Sequence, residues 1–189
     1  MASLLTHPAP AIAIAAAFGT KIISPRLAVA MVIAAVLPDM DVVGFSYGVK
    51  YASILGHRGF SHSLLFAFSI GLLAFLSARF LKAKRGIAFL AVFCAVISHI
   101  ILDAATTGGL GVAVFWPVDE TRYFLPWRPI EVSPFSLRRF FSSRGVVILL
   151  SELRWVWAPC AVFAFAGIFL RFSVGFPEAI HRKKRQRNM

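Results

Sequence analysis

The sequence predicts an all-α protein, a polytopic helical membrane bundle with about five membrane helices and a long outer loop. Of its 189 residues, 59% are hydrophobic and only 15% are charged, whereas charged residues make up about 25% of a soluble domain. The mean hydropathy is +0.78. A chain this apolar cannot cover its core with polar surface in water, so the composition indicates an integral membrane protein.

Five apolar segments are expected to be helical. Residues 2–20 contain no Lys, Arg, Asp or Glu and lack the basic region that begins a signal peptide. Residues 27–38 are shorter than the ~20 residues of a full span, so a tilted or partly buried helix is expected there. Residues 63–78 and 86–102 are predicted as clear spans. The fifth segment covers residues 145–172.

A long loop, residues 106–144, separates the last two segments. It contains Trp116-Pro117 and Pro126-Trp-Arg-Pro129, and this density of proline and tryptophan predicts a structured loop at the membrane interface. The expected organisation is one membrane-embedded domain over residues 1–175, followed by a basic cytoplasmic tail over residues 176–189.

The basic residues predict an orientation in a bacterial inner membrane. With the N-terminus outside and five crossings, twelve of the 20 Lys and Arg residues fall inside, together with only one of the eight carboxylates. The positive-inside rule favours this topology, with a cytoplasmic C-terminus. The main counter-signal is a group of outer-loop arginines: Arg122, Arg128, Arg138, Arg139 and Arg144.

The net charge of +12 would suggest a nucleic-acid partner in a soluble protein. Here much of the charge adjoins apolar segments, where Lys and Arg meet anionic lipid. The expected partners are therefore the lipid bilayer and an anionic lipid or lipid-linked substrate, with no specific nucleic acid.

His99 and Asp103 form the most informative pair, because they lie four positions apart and so share one face of a helix. The surrounding residues are apolar. A central Asp in a membrane helix costs roughly +2.5 to +3.5 kcal/mol, so an unpaired one is not expected to persist.

Two further clusters lie upstream. In Leu37-Pro-Asp39-Met-Asp41, the proline places both carboxylates where a helix ends or turns. In His57-Arg-Gly-Phe-Ser-His62, Gly59 predicts a bend that aims both imidazoles inward, and Ser61 is predicted to cap the next span.

The predicted topology brings seven candidate metal-binding side chains to the outer side: His7, Asp39, Asp41, His57, His62, His99 and Asp103. Imidazole and carboxylate suit Zn²⁺, with Mn²⁺ or Fe²⁺ as alternatives. Seven groups exceed the roughly four ligands of one zinc ion. Either two ions share the site, ~3.5–4 Å apart, or some members orient the ligands.

Two other charged residues belong to the candidate site. Arg58 is interpreted either as a bidentate phosphate contact or as an arginine that reaches the headgroup region. Glu152, inside the last apolar segment, is interpreted as a metal ligand or a general base. Its neighbour Arg154 is two positions away, and such residues do not face each other on a helix.

The combination of an early His, Leu-Pro-Asp-x-Asp, His-Arg-Gly-x-Ser-His and Ser-His-x-x-x-Asp resembles a family of bacterial inner-membrane metal-dependent hydrolases. Some members of that family are associated with the LexA DNA-damage regulon. The Leu-Pro-Asp-x-Asp and Ser-His-x-x-x-Asp elements are more distantly similar to zinc-dependent phospholipase C. The resemblance covers roughly residues 1–130, including Gly108-Gly109 and Phe115-Trp116-Pro117.

Carried over residue by residue, the resemblance implies a set of metal-binding positions: His7, Asp39, His57, His62, His99 and Asp103. Asp41 is a further candidate ligand. The implied reaction class is metal-assisted hydrolysis. The expected position of the site, at the depth of the headgroups near the outer membrane–water interface, suits an ester or phosphoester of a lipid or lipid-linked substrate. Asp41 or Glu152 would accept the proton and Arg58 would hold an anionic group. The alternative is a non-catalytic metal-binding membrane scaffold or a transporter.

Overall fold

In a computed structural model, which describes residues 1–134 and 140–187 (side chains through Ser173), the chain folds as a bundle of helices. The described residues contain no β-strand, only two isolated β-bridges, Thr106–Ile130 and Val112–Tyr123. The all-α prediction is therefore confirmed.

The α-helices are α1 (Ala9–Phe18), α2 (Pro25–Val36), α3 (Leu64–Leu76), α4 (Arg85–Ala104), α5 (Ser143–Glu152) and α6 (Ala158–Arg187). A 3₁₀ segment, Leu37–Tyr47, continues α2 without a break. A π-helical turn, Leu153–Trp157, joins α5 to α6, so these two form one long helix.

Three helical segments are long and apolar enough to cross a membrane: Pro25–Tyr47, Arg85–Ala104 and Ser143–Ser173. The expectation of a full span over residues 63–78 is wrong, because α3 has only 13 residues. The α-helix of the segment expected to be short does end before Pro38, at Val36. The 3₁₀ segment that follows extends it to a helical segment of 23 residues.

The first helix begins later than residues 2–20 suggested. Pro8 is the N-cap of α1, and Pro10 stands in its first turn, where the missing N–H of proline costs nothing. Residues 1–3 have no regular secondary structure, and residues 4–8 form turns instead of helix. This N-terminal segment is therefore free to fold across the end of the bundle.

Small residues allow the helices to approach closely. A Cβ atom at Gly71 of α3 would lie 3.1 Å from the Phe89 ring of α4, and one at Gly167 of α6 would lie 2.5 Å from the Ala17 Cβ of α1. Such contacts provide the van der Waals packing that holds helices together in lipid.

The alternating directions of α1 to α4 define two ends of the bundle. The N-termini of α1 and α3 and the C-termini of α2 and α4 lie at one end, here called the site end. At the opposite end, the Ser24 hydroxyl donates to the Leu81 carbonyl, and Arg26 donates to the Phe80 carbonyl. These bonds tie the α1–α2 turn to the α3–α4 turn.

Candidate metal centre

Four separate parts of the chain bring the predicted ligands together at the site end. His7 comes from the N-terminal segment, Asp39 from the 3₁₀ segment after α2, and His57 and His62 from the connection before α3. His99 and Asp103 come from the last turns of α4. All six are buried, none more than 2% exposed, so the sequence-derived set converges in the fold.

The tightest group consists of Asp39, His62, His99 and Asp103, each of which offers one ligand atom within 4.8 Å of all the others. The Nε2 atoms of His62 and His99 are 3.1 Å apart. Asp39 Oδ1 lies 3.5 Å from His99 Nε2, and Asp103 Oδ2 lies 3.4 Å from His62 Nε2. Ligands about 2.0–2.1 Å from a tetrahedral ion lie about 3.3 Å from one another, so these spacings fit a shared cation.

Hydrogen bonds at Nδ1 turn Nε2 of each ring toward this group. His99 Nδ1 is 2.7 Å from the Ala35 carbonyl oxygen, which can only accept, so Nδ1 carries the proton and a neutral ring presents a lone pair at Nε2. His62 Nδ1 lies 3.0 Å from the Ser61 hydroxyl. Metal-binding histidines show this arrangement because the partner at the second nitrogen fixes the tautomer.

Asp41 organises the two histidines of the connection. Its Oδ1 lies 2.7 Å from His57 Nδ1, and its Oδ2 accepts hydrogen bonds from the Ser61 hydroxyl and the Arg58 backbone N–H. Asp41, His57 and His62 form a second group able to hold a metal. Asp41 Oδ2 also lies 3.3 Å from His62 Nδ1, so its contacts with the two Nδ1 atoms indicate a carboxylate that fixes the orientation of both rings.

His7 closes the other side of the centre. Its ring stacks on His99 with centroids 3.8 Å apart, and its Nε2 lies 3.4 Å from Asp39 Oδ2. Neither ring nitrogen of His7 and neither oxygen of Asp39 has a hydrogen-bond partner among the described residues. Because a buried polar atom left unsatisfied costs about 1–3 kcal/mol, the unpartnered His7 Nε2 beside the unpartnered Asp39 carboxylate fits a cation between them.

The electrostatics of the centre favour positive charge. Burial opposes protonation of His62, yet the nearby carboxylates of Asp103, Asp39 and Asp41 raise the pKa of the imidazole to about 10. For His7, burial and the neighbouring His99 lower the pKa to about 3. The carboxylates around His62 therefore stabilise a positive charge there. His7 stays neutral, and the neutral form of imidazole is the one that binds metals.

Arg58 lies inside the protein, and each of its three guanidinium nitrogens donates a hydrogen bond. Nε donates to Asp103 Oδ2 at 3.0 Å, Nη1 to the Gly108 carbonyl at 2.9 Å and Nη2 to the Thr106 hydroxyl at 2.8 Å. The side chain is completely buried. These contacts favour a role in fixing Asp103 over the expected contact with a phosphate.

Glu152 also lies next to the centre, but its partners are not the candidate ligands. It accepts hydrogen bonds from the Ser3 backbone N–H and hydroxyl and from the Thr6 hydroxyl, the last at 2.8 Å. Its neighbour Arg154 instead lies over the Trp155 ring. Glu152 thus anchors the N-terminal segment that carries His7.

The π-helical turn explains how two residues of the last helix, Glu152 and Trp157, both contact the N-terminal segment. Trp157 Nε1 donates to the same Thr6 hydroxyl at 3.0 Å. Residues five positions apart point in different directions on an α-helix, but a π-turn, with its i to i+5 bonding, places them one above the other. Sequence reasoning missed Ser3, Thr6 and Trp157, although Ser3 and Thr6 stand out as polar residues in an apolar run.

The bend between the two histidines has a different cause from the one predicted. Arg58, not Gly59, has the positive φ, of 65°. Gly59 is needed because a Cβ there would lie 2.1 Å from the Ile54 carbonyl oxygen. The prediction of Ser61 as the cap of the next helix is wrong: Ser63 caps α3 by accepting from the Phe66 N–H, which leaves Ser61 to bind Asp41.

The described outer-loop arginines have partners within the protein. Arg122 donates to the His57 and Ser53 carbonyls, Arg128 lies over the Phe124 ring, and Arg144 pairs with Glu131 at 2.9 Å. Arg138 and Arg139 lie outside the described residues. Arg122 therefore supports the backbone beside His57.

Fold and site together define a class, a helical membrane protein with a buried His/Asp cluster able to hold a metal ion at one end of its bundle. A sequence model of the YdjM inner membrane protein family matches residues 1–175. The chain is also 44% identical over 160 residues to inner membrane protein YbcI of Escherichia coli (strain K12), which covers 84% of this chain and 92% of YbcI. The chain belongs to the YdjM family of inner membrane proteins. No solved structure matches it significantly.

Proposed function

We propose that this protein is a metal-dependent hydrolase of the inner membrane that cleaves an ester or phosphoester of a lipid or lipid-linked substrate at the membrane–water interface. The observation that supports this proposal is the convergence of imidazole and carboxylate donors, with no thiolate, on one buried point. This donor set suits Zn²⁺ first and Mn²⁺ or Fe²⁺ next, as one or two ions.

The position of the centre supports a membrane-borne substrate. Tyr47 and Trp127, from segments at the site end, are 83% and 63% exposed, and tyrosine and tryptophan concentrate where a membrane meets water. We place this end on the outer face of the membrane, with the C-terminus cytoplasmic, following the distribution of basic residues.

Some residues of the centre would bind the ion, and others position the residues that bind it. His62, His99, Asp39 and Asp103 would hold the ion, with His7 and His57 beside them. A bound divalent ion supplies a water of pKa about 7 and polarises the scissile bond. Arg58 keeps Asp103 oriented, Asp41 orients the His57 and His62 rings, and Glu152 holds the segment that carries His7. We therefore assign these three residues to positioning.

A second candidate function has its own supporting observation. Structural metal sites are closed and catalytic ones keep an open position, and every side chain of the tightest group is at least 98% buried. A metal-binding scaffold that hydrolyses nothing is the corresponding alternative.

The experiment compares purified wild type, His99→Gln and the matched control Ser98→Ala, all reconstituted with Zn²⁺, Mn²⁺ or Fe²⁺. Ser98 neighbours the ligand, but its hydroxyl bonds only the Ala95 carbonyl among the described contacts. The substrates are phospholipids and undecaprenyl-phosphate-linked lipids. We expect turnover by wild type and Ser98→Ala and its loss in His99→Gln. Full metal content with no turnover on any substrate would favour the scaffold.

A further inference from the structure

The end of the bundle opposite the metal centre contains a basic cleft. It lies between the α1–α2 and α3–α4 turns, has a volume of about 440 Å³ and is lined by Lys21, Arg79, Lys82 and Lys84. The turns that form this end, residues 19–26 and 77–87, contain no Asp or Glu. Among the described residues, no carboxylate pairs with any of the four cations.

An apolar groove adjoins this cleft. It runs between α1 and α6, has a volume of about 340 Å³ and is lined by Ala17, Phe163, Ala166 and Leu170, with Ile22 shared between groove and cleft. Arg171 stands at the same place, where it donates to the Ala16 carbonyl at 2.8 Å. Four cations beside an apolar channel form an amphipathic site.

We propose that this cleft and groove bind one anionic phospholipid, with its phosphate among the lysines and one acyl chain along the groove. Basic pockets between membrane helices bind anionic headgroups because the charge is complementary and partly shielded from water. The groove favours a lipid over a free anion, since inorganic phosphate has no apolar chain that could occupy the groove. The site lies at the other end of the bundle and does not depend on the proposed hydrolase activity.

The local backbone agrees with a dedicated site. Lys82 has a φ of 51°, a left-handed conformation that is uncommon for a residue other than glycine, asparagine or aspartate. Lys82, with its long cationic side chain, therefore occupies a turn position in the cleft where the backbone conformation alone would favour a smaller residue.

The test measures retained lipid by native mass spectrometry of the full-length protein, purified in the presence of equal amounts of phosphatidylglycerol and phosphatidylcholine. We expect wild type to retain phosphatidylglycerol in preference. The double variant Lys21→Gln/Lys82→Gln should lose about tenfold or more of this preference, because each basic residue near an anionic lipid contributes to its affinity. Ala166→Phe, which fills the groove, should reduce retention of the lipid.

Two matched controls keep the test specific. Lys50→Gln removes an exposed cation at the site end, and Val162→Phe adds an aromatic ring on an exposed face of α6 outside the groove. Both should retain phosphatidylglycerol like wild type. The proposal is overturned if the double variant keeps the wild-type preference, or if inorganic phosphate displaces the lipid fully while Ala166→Phe has no effect, which would indicate a simple anion site.

Discussion

Asp39 and Asp41, two positions apart, have different environments that define different roles. Asp39 has buried oxygens that face His7, His62 and His99 at 3.4–3.8 Å without a hydrogen bond among the described residues. The oxygens of Asp41 already accept from His57, Ser61 and the Arg58 backbone. Asp39 is therefore available to an ion, whereas Asp41 is committed to orienting the rings.

This difference predicts a graded response to substitution at position 41. In Asp41→Asn the amide cannot accept from every group that now donates to the carboxylate, so the His57 and His62 rings lose their orientation. We expect metal affinity to fall by about 10- to 100-fold without abolition of binding, the usual effect of removing a partner behind a ligand. Competition titration with a chromophoric chelator measures it. Unchanged affinity, or complete loss, would contradict the positioning role.

The convergence of the ligands could be predicted from residue chemistry, but their partners could not. His99 and Asp103 stand out because an apolar helix has no reason to carry them unpaired. Glu152 stood out for the same reason, yet its partners Ser3 and Thr6 are 149 and 146 positions away. Nothing local in the sequence indicates a contact at that separation.

At the scale of elements, the last helix acts as a clamp on the N-terminal segment. The π-turn after Glu152 lets both Glu152 and Trp157 reach Thr6, while the Ala2 backbone N–H donates to Asp103 at 3.0 Å. The position of His7 thus depends on a helix that begins more than 130 residues later in the chain.

Glu152→Gln should loosen this segment without unfolding the bundle. The amide group would face hydroxyl and backbone donors, so we expect the free energy for local opening of residues 1–8 to fall by about 1–3 kcal/mol. Hydrogen exchange of this segment measures the change. The matched control is Glu131→Gln, which removes a half-exposed pair with Arg144 and should have little effect. Equal exchange in both variants would rule out the clamp.

The ends of the helices were harder to predict than which segments are helical, and individual residues show why. Pro8 and Pro10 fix the start of α1, and Ser63 instead of Ser61 caps α3 because Asp41 binds the Ser61 hydroxyl. Tertiary contacts therefore decide between neighbouring serines that local sequence treats as equal.

At the scale of the whole molecule, the two ends of the bundle differ in charge. All carboxylates of the described side chains belong to segments at the site end, and the opposite end is basic. This separation follows the distribution of Lys and Arg that the sequence showed, and it underlies the proposed orientation with the site end outside.

Cysteine labelling in intact cells tests that orientation. In a background with Cys94→Ala and Cys160→Ala, we expect a membrane-impermeant maleimide to label Lys50→Cys, from the site end. Lys84→Cys, at the opposite end, should react only after the membrane is opened, because the bilayer shields the inner face. The reverse pattern would place the candidate metal centre on the cytoplasmic side.

We propose that distant histidines and aspartates hold a common divalent ion. Elemental mass spectrometry of the purified protein, reconstituted with Zn²⁺, Mn²⁺ or Fe²⁺, tests it most directly in wild type, Asp39→Asn and the exposed-site control Asp119→Asn. We predict at least one tightly bound ion per chain in wild type and Asp119→Asn, and its loss from folded Asp39→Asn. A folded wild-type protein that binds no divalent ion, or an Asp39→Asn variant with full metal content, would contradict the claim.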